Sequence, residues 1–197
     1  MISCLLLSAG FSARFGSPKA LARLHGQTII EHVQKELLQS NVDQIIVVLG
    51  AHMEQIKPLL LNHKKIKVVY NKDYNLGQTS SFKAGLREIN KEAQGIMLLP
   101  IDYPLLRAKT IDLLIARFAE KKSSILVPVF NEKRGHPPIF AVSLKEELLA
   151  LDDNKGINTV IHKHEDDLED FSVWDAGVIK TFNTQQELES IRVQGII

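Results

Sequence analysis

Residues 2–7, 44–50 and 95–100 form short, nearly unbroken apolar runs instead of alternating with polar residues. A strand reads this way when it is covered on both faces, as in a parallel sheet between helical layers. Segments with helical spacing lie between the runs. Thr28-Ile29-Ile30-Glu31 has capping-box spacing, and Ile29, Ile30, Val33, Leu37 and Leu38 recur on one face behind it. The alternation predicts an α/β fold, a doubly wound and mostly parallel sheet with right-handed crossovers. Ligands of such sheets gather at the carboxyl ends of the strands. Three unusual segments fall there: residues 8–19, 75–81 and 101–104.

The expected order of elements is a strand at 2–7, a helix from 28, a strand at 44–50, a helix at 53–61 and a strand at 66–70. A helix at 80–89, a strand at 95–100 and a helix at 110–121 follow. The second half is read as strands at 125–129 and 139–142, helices at 144–151 and 156–164, a short strand at 171–174 and a helix from 185. No linker rich in Pro, Gly or Ser divides the 197 residues, and the 45% hydrophobic content supports a single domain, 1–197.

The first loop runs Ser8-Ala9-Gly10-Phe11-Ser12-Ala13-Arg14-Phe15-Gly16-Ser17-Pro18-Lys19. A glycine-bearing turn after a buried strand presents backbone N–H groups to an anion, and glycine removes the Cβ that would hold an oxyanion away. Arg14 adds a planar fork for oxygens and Lys19 a point charge. The spacing fits neither the Walker pattern nor the dinucleotide Gly-x-Gly-x-x-Gly.

Asp102 emerges where the run at 95–100 ends. A carboxylate there either caps a turn or, beside a phosphate loop, holds Mg²⁺, which needs one or two protein carboxylates when phosphate and water fill its other positions. Ser80 and Ser81 stand at an expected helix start, where a serine either caps the helix or faces a nucleotide. Arg134-Gly135-His136-Pro137-Pro138 fixes the backbone around one histidine. The His162-Lys163-His164-Glu165-Asp166-Asp167 run reads as a solvated helix end with both signs of charge rather than a metal site. No Gly-x-Ser-x-Gly elbow, paired-cysteine motif or His-Glu-x-x-His motif occurs, so hydrolase and zinc chemistry have no footing.

The formal charge is +1, with 24 basic and 23 acidic residues spread along the chain, which argues against a nucleic-acid or membrane partner. Residues 2–7 are too short and lack the basic leader of a signal peptide, and no segment reaches membrane-spanning length. The single cysteine, Cys4, lies inside the first apolar run, which fits a reducing, cytoplasmic setting.

The loop Leu-x-Ala-Gly-x-Ser-x-Arg-x-Gly-x-x-Lys from Leu7 to Lys19, the segment from Gly77 to Ala84-Gly85-Leu86, Asp102-Tyr103-Pro104 and Gly135-His136-Pro137 follow one another in an order that resembles the molybdenum cofactor cytidylyltransferase-like branch of the MobA/MocA-like nucleotidyltransferases. The resemblance implies a Rossmann-like three-layer sandwich of the nucleotide-diphospho-sugar transferase type. Its first half would bind an NTP and its second half a phosphorylated small-molecule acceptor. It further implies Mg²⁺, catalytic roles for Arg14, Lys19 and Asp102, and nucleotide contacts from Ala9, Gly10, Phe11, Ser12, Arg14, Gly16, Lys19, Ser80 and Ser81. Gly135 and His136 would lie near the acceptor, and Asp102 with Asn183 near the metal. Asn183 stands in Thr181-Phe182-Asn183-Thr184-Gln185, where the family has an Asp-Ile-Asp-Thr-Pro-like segment. Asp153-Asn154-Lys155-Gly156-Ile157-Asn158 likewise replaces Gly-Asp-x-Gly-x-Arg.

Ala9-Gly10-x-Ser12 resembles the cytidylyl branch more than the Gly-Gly form of guanylyl transfer, and the resemblance implies CTP as donor, molybdopterin as acceptor and a molybdenum enzyme or its chaperone as partner. Two other readings stand beside this one. The first is transfer to a sugar phosphate or another phosphorylated alcohol, and the second is a nucleotide- or cofactor-binding accessory protein without turnover.

Overall fold

The computed structural model describes residues 1–121 and 123–194. The expected domain limit at 197 lies outside them.

The first strand, β1 (Ile2–Ser8), is buried along its whole length. A small hairpin, β2 (Arg23–Leu24) and β3 (Gln27–Thr28), leads into α1 (Ile29–Gln39). Then come β4 (Gln44–Leu49), α2 (Met53–Ile56), β5 (Ile66–Tyr70), α3 (Gln78–Leu86), β6 (Gly95–Pro100) and α4 (Ala108–Glu120). The second half adds β7 (Ile125–Phe130), β8 (Lys133–Arg134), β9 (Ile139–Ala141), α5 (Lys145–Ala150), α6 (Asn158–Lys163), β10 (Leu168–Ser172) and α7 (Gln185–Gln194).

The main sheet has the order β10-β7-β9-β6-β1-β4-β5, with β8 attached to β7. β6, β1, β4 and β5 pair in parallel, as do β7 and β10, while β9 runs antiparallel between β6 and β7. Alternate residues of each strand feed two cores. Cys4, Leu6, Ile45, Val47, Met97 and Leu99 pack with α1 and α4 on one face. Leu5, Leu7, Ile46, Val48, Ile96 and Leu98 pack with α3 and α5 on the other. This is the three-layer, mostly parallel α/β sandwich that the apolar runs require.

The capping box forms as spaced: Thr28 Oγ1 accepts the Glu31 N–H, and the Glu31 carboxylate accepts the Thr28 N–H. Other boundaries differ from expectation. Proline 58 has no N–H to donate, and α2 gives way after Ile56 to a 3-10 turn at Lys57–Leu59. α3 starts at Gln78, two residues before Ser80, because Gly77 at φ 106° makes the entry bend. β10 occupies Leu168–Ser172 instead of 171–174, set by its register on β7 from Leu168 opposite Ile125 to Ser172 opposite Val129. The β2–β3 hairpin and the β7–β8 hairpin were not expected. Their turns place His25 and Gly26, and Asn131 and Glu132, at positive φ.

Candidate active site

Pairing of β1 with β6 sets Leu7 opposite Pro100, so the loop after β1 and the acid after β6 leave the sheet side by side. The Ile101 N–H donates to the Leu7 carbonyl at 3.0 Å, fixing that exit. The first loop folds back on itself: the Phe15 and Gly16 N–H groups donate to the Ser12 carbonyl at 2.9 and 3.1 Å. Gly16 sits at φ 79°, where a side chain would be strained. Ser12 Oγ accepts the Lys19 N–H at 3.1 Å, aligning the lysine at the start of a 3-10 turn.

Lys19 Nζ lies 2.8 Å from Asp102 Oδ2 and 3.0 Å from Asn183 Oδ1. Arg14 Nη2 donates to the same Asn183 oxygen at 2.9 Å. One cluster therefore joins both cations of the first loop, the acid after β6 and an amide from the far end of the chain. Phe182 is buried and supports the arrangement, stacking edge-on against Phe15 with Lys19 Nζ over its ring. Thr184 and Glu187 cap α7 reciprocally, at 3.2 Å to Thr184 Oγ1 and 3.1 Å to Glu187 Oε2, with the Asn183 N–H also on Glu187. Asp175 accepts the Thr110 hydroxyl at 2.6 Å and the Gly177 N–H at 2.8 Å, which fastens the preceding turn to α4.

These groups line a cavity of about 630 Å³. Ala9, Gly10, Phe11, Ser12, Arg14, Lys19, Ser81, Asp102, His136 and Asn183 all border it, whereas Gly16, Ser80 and Gly135 are not among its lining residues. Ser80 and Ser81 are buried, and neither caps a helix: the Ser80 hydroxyl faces the Asp73 and Gly77 carbonyls at 2.8 and 2.9 Å. Asn71 Nδ2 donates to both serine oxygens at 3.0 Å. Gly135 allows a close approach, since a Cβ there would lie 2.2 Å from the Val178 carbonyl oxygen.

His136 packs against Tyr103 with ring centroids 4.6 Å apart and ring planes tilted by 44°. Burial holds the His136 imidazole below its ordinary pKa, and burial with the Asp102 charge pushes the Tyr103 phenol up to about 12. Sequence reasoning did not select Tyr103, His52, Tyr74, Gln78 or Thr181 as site residues, yet all five border the cavity. Phe11 meets Tyr74 edge-on at 5.2 Å, and His52 Nε2 lies 3.1 Å from the Phe11 carbonyl oxygen.

No group of three or more His, Cys, Asp or Glu side chains converges among the described residues. Asp102 is a hard oxygen donor of the kind Mg²⁺ takes. The donor set fits a magnesium ion that completes its shell with phosphate and water, and does not form an all-protein cage.

A mostly parallel sheet thus delivers a glycine loop, two cations and a carboxylate into one cavity, an arrangement suited to holding a polyphosphate. The MobA-like NTP transferase domain model matches residues 4–168, and the chain belongs to that family. It is similar to a probable molybdenum cofactor guanylyltransferase of Bacillus cereus strain Q1, at 28% identity over 75% of this chain and 72% of that one. It is also similar to the nicotine blue oxidoreductase of Paenarthrobacter nicotinovorans, at 27% identity over 73% and 72%. Among solved structures, the Mycobacterium sp. strain JC1 homologue of Mycobacterium tuberculosis Rv0371c superposes with a TM-score of 0.87 at 26% identity, covering 99% of this chain and 96% of that one. Asn183 and α7 lie beyond the matched residues 4–168.

Proposed function

We propose that the enzyme transfers a nucleotidyl group from CTP to a phosphorylated acceptor, molybdopterin, and releases pyrophosphate. An acceptor phosphate oxygen attacks the α-phosphorus, a new P–O bond forms, and the bond to the pyrophosphate oxygen breaks. The attacking oxygen is already anionic at neutral pH, so no covalent nucleophile is needed. What the reaction demands is in-line positioning and neutralisation of charge gathering on the leaving group. The observation that carries this reading is the convergence of Arg14 and Lys19 with Asp102 in one cavity.

In this reading Arg14 and Lys19 bind the phosphates and loop amides orient them, with Ser81 on the nucleotide side. Mg²⁺ held by Asp102 would supply further charge neutralisation on the triphosphate. In the same reading the acceptor lies near His136, which borders the cavity beside Tyr103. A molybdenum enzyme or its chaperone would then receive the product. The buried thiol of Cys4 suits a cytoplasmic setting.

The preference for CTP draws on Ala9-Gly10-x-Ser12 in the first loop, which lacks the Gly-Gly form. GTP is the second reading, because the similar Bacillus cereus protein carries the name guanylyltransferase. Steady-state transfer from each of the four NTPs to molybdopterin separates the two. The highest kcat/KM is expected with CTP; a higher value with GTP replaces the donor, and no transfer from any NTP removes the proposal.

A further inference from the structure

The Asn183 amide has its oxygen between two cations, Arg14 Nη2 at 2.9 Å and Lys19 Nζ at 3.0 Å. A carbonyl oxygen has two lone pairs, and both are engaged. Two N–H donors on one atom also fix which end of the amide is oxygen. The Nδ2 group therefore points elsewhere, and it has no acceptor among the described residues. An atom whose lone pairs are engaged by cations is a poor metal ligand, while a free amide N–H is a suitable donor to an anion.

Charge leads to the same conclusion. Asp102 is the sole carboxylate among the described residues lining the cavity, and Lys19 already lies 2.8 Å from it. Because Asn183 is neutral, the cluster holds two cations against one acid. A divalent ion approaching without an anion would meet Lys19 on the only carboxylate and Arg14 beside it, and like charges at such range repel. An incoming polyphosphate meets the reverse situation: an uncompensated positive charge, an arginine fork and an unoccupied amide donor.

We infer that Asn183 is a phosphate-side residue, and that the site takes its polyphosphate without needing a divalent metal, which Asp102 receives only after the anion has drawn Lys19 away. This rests on the nucleotidyltransferase reading and adds an order of binding to it. The amide organises the two cations and donates to the phosphate; an aspartate at the same position would cancel one cation and complete a pair of acids with Asp102.

The test is titration calorimetry of the whole protein with pyrophosphate and with CTP, in EDTA and in Mg²⁺, together with Mn²⁺ alone followed by electron paramagnetic resonance. Pyrophosphate affinity in EDTA should stay within about tenfold of that in Mg²⁺, and Mn²⁺ alone should bind only weakly. Asn183→Asp should lower the EDTA affinity by about tenfold or more and create Mn²⁺ binding without nucleotide. Binding of pyrophosphate and CTP that requires Mg²⁺, or tight Mn²⁺ binding to the nucleotide-free native protein, overturns the inference and leaves nucleotidyl transfer standing. No binding in either condition removes both.

Discussion

Lys19 and Asp102, 83 residues apart in sequence, meet at 2.8 Å with side-chain exposures of 13% and 21%. The cation of the first loop is thus held against the acid that follows β6, at the place where a phosphate would compete for it. Both side chains are largely shielded from solvent, so the two charges act on each other with little screening. The importance of the pair lies in the chemistry.

Lys19→Ala should therefore act on turnover. Removing one preorganised charge donor lowers rates by about 10²–10³-fold. The same fall is expected in pyrophosphate release, from a variant that circular dichroism shows to be folded. A variant that folds and turns over at the native rate would exclude Lys19 from the reaction.

The two serines of α3 should separate. Ser80 bonds the Asp73 and Gly77 carbonyls behind the cavity, whereas Ser81 borders it. Each alanine variant leaves Asn71 short of an acceptor and should lose about 1–3 kcal/mol in urea unfolding. The larger loss of nucleotide affinity belongs to Ser81→Ala; calorimetry that finds it at Ser80 would reverse their roles.

Gly135→Ala drives a methyl to 2.2 Å from the Val178 carbonyl oxygen, so one backbone must shift. Because the His136 N–H donates to that same carbonyl at 2.7 Å, the shift reaches the histidine. Strain of this kind costs about 1–3 kcal/mol, and each kcal/mol moves the melting temperature of a chain this long by about 2–4 °C. A lower melting temperature and a raised KM for the acceptor are expected; native values of both would contradict the packing.

Burial lowers the pKa of His32 and His136 from the ordinary 6.5. The unfolded chain then binds more protons than the folded one at acid pH, and stability rises with pH. The contribution is fully present above 6.5 and is lost as pH falls from there toward the folded values. Thermal melts across this window should show the decline, and His136→Gln should flatten it. An equal slope in native and variant proteins would exclude His136 as a source.

What was legible in the sequence depended on how local its cause was. The runs behind β1, β4 and β6 needed only their own composition, and the Thr28–Glu31 box needed four residues. Arg14, Lys19 and Asp102 stood out because each follows a strand that could be read. The β7–β8 turn was hidden because Asn131 and Glu132 take positive φ without a glycine to announce it. The bonds that hold Ser80 and Ser81 were hidden because their partner, Asn71, comes from the segment after β5. Asn183 drew attention only as a departure from a motif, since the cations that engage it lie 164 and 169 residues away. The Thr184–Glu187 spacing was a readable cap signal that could have placed it at a helix start.

Nucleotidyl transfer at the Lys19–Asp102 centre can be followed through the α-phosphate of labelled CTP in a single turnover with molybdopterin and Mg²⁺. Label should reach the acceptor in step with pyrophosphate release, and both should be lost in Lys19→Ala. Tight nucleotide binding with no labelled acceptor and no pyrophosphate would contradict nucleotidyl transfer and identify the protein as a binding module.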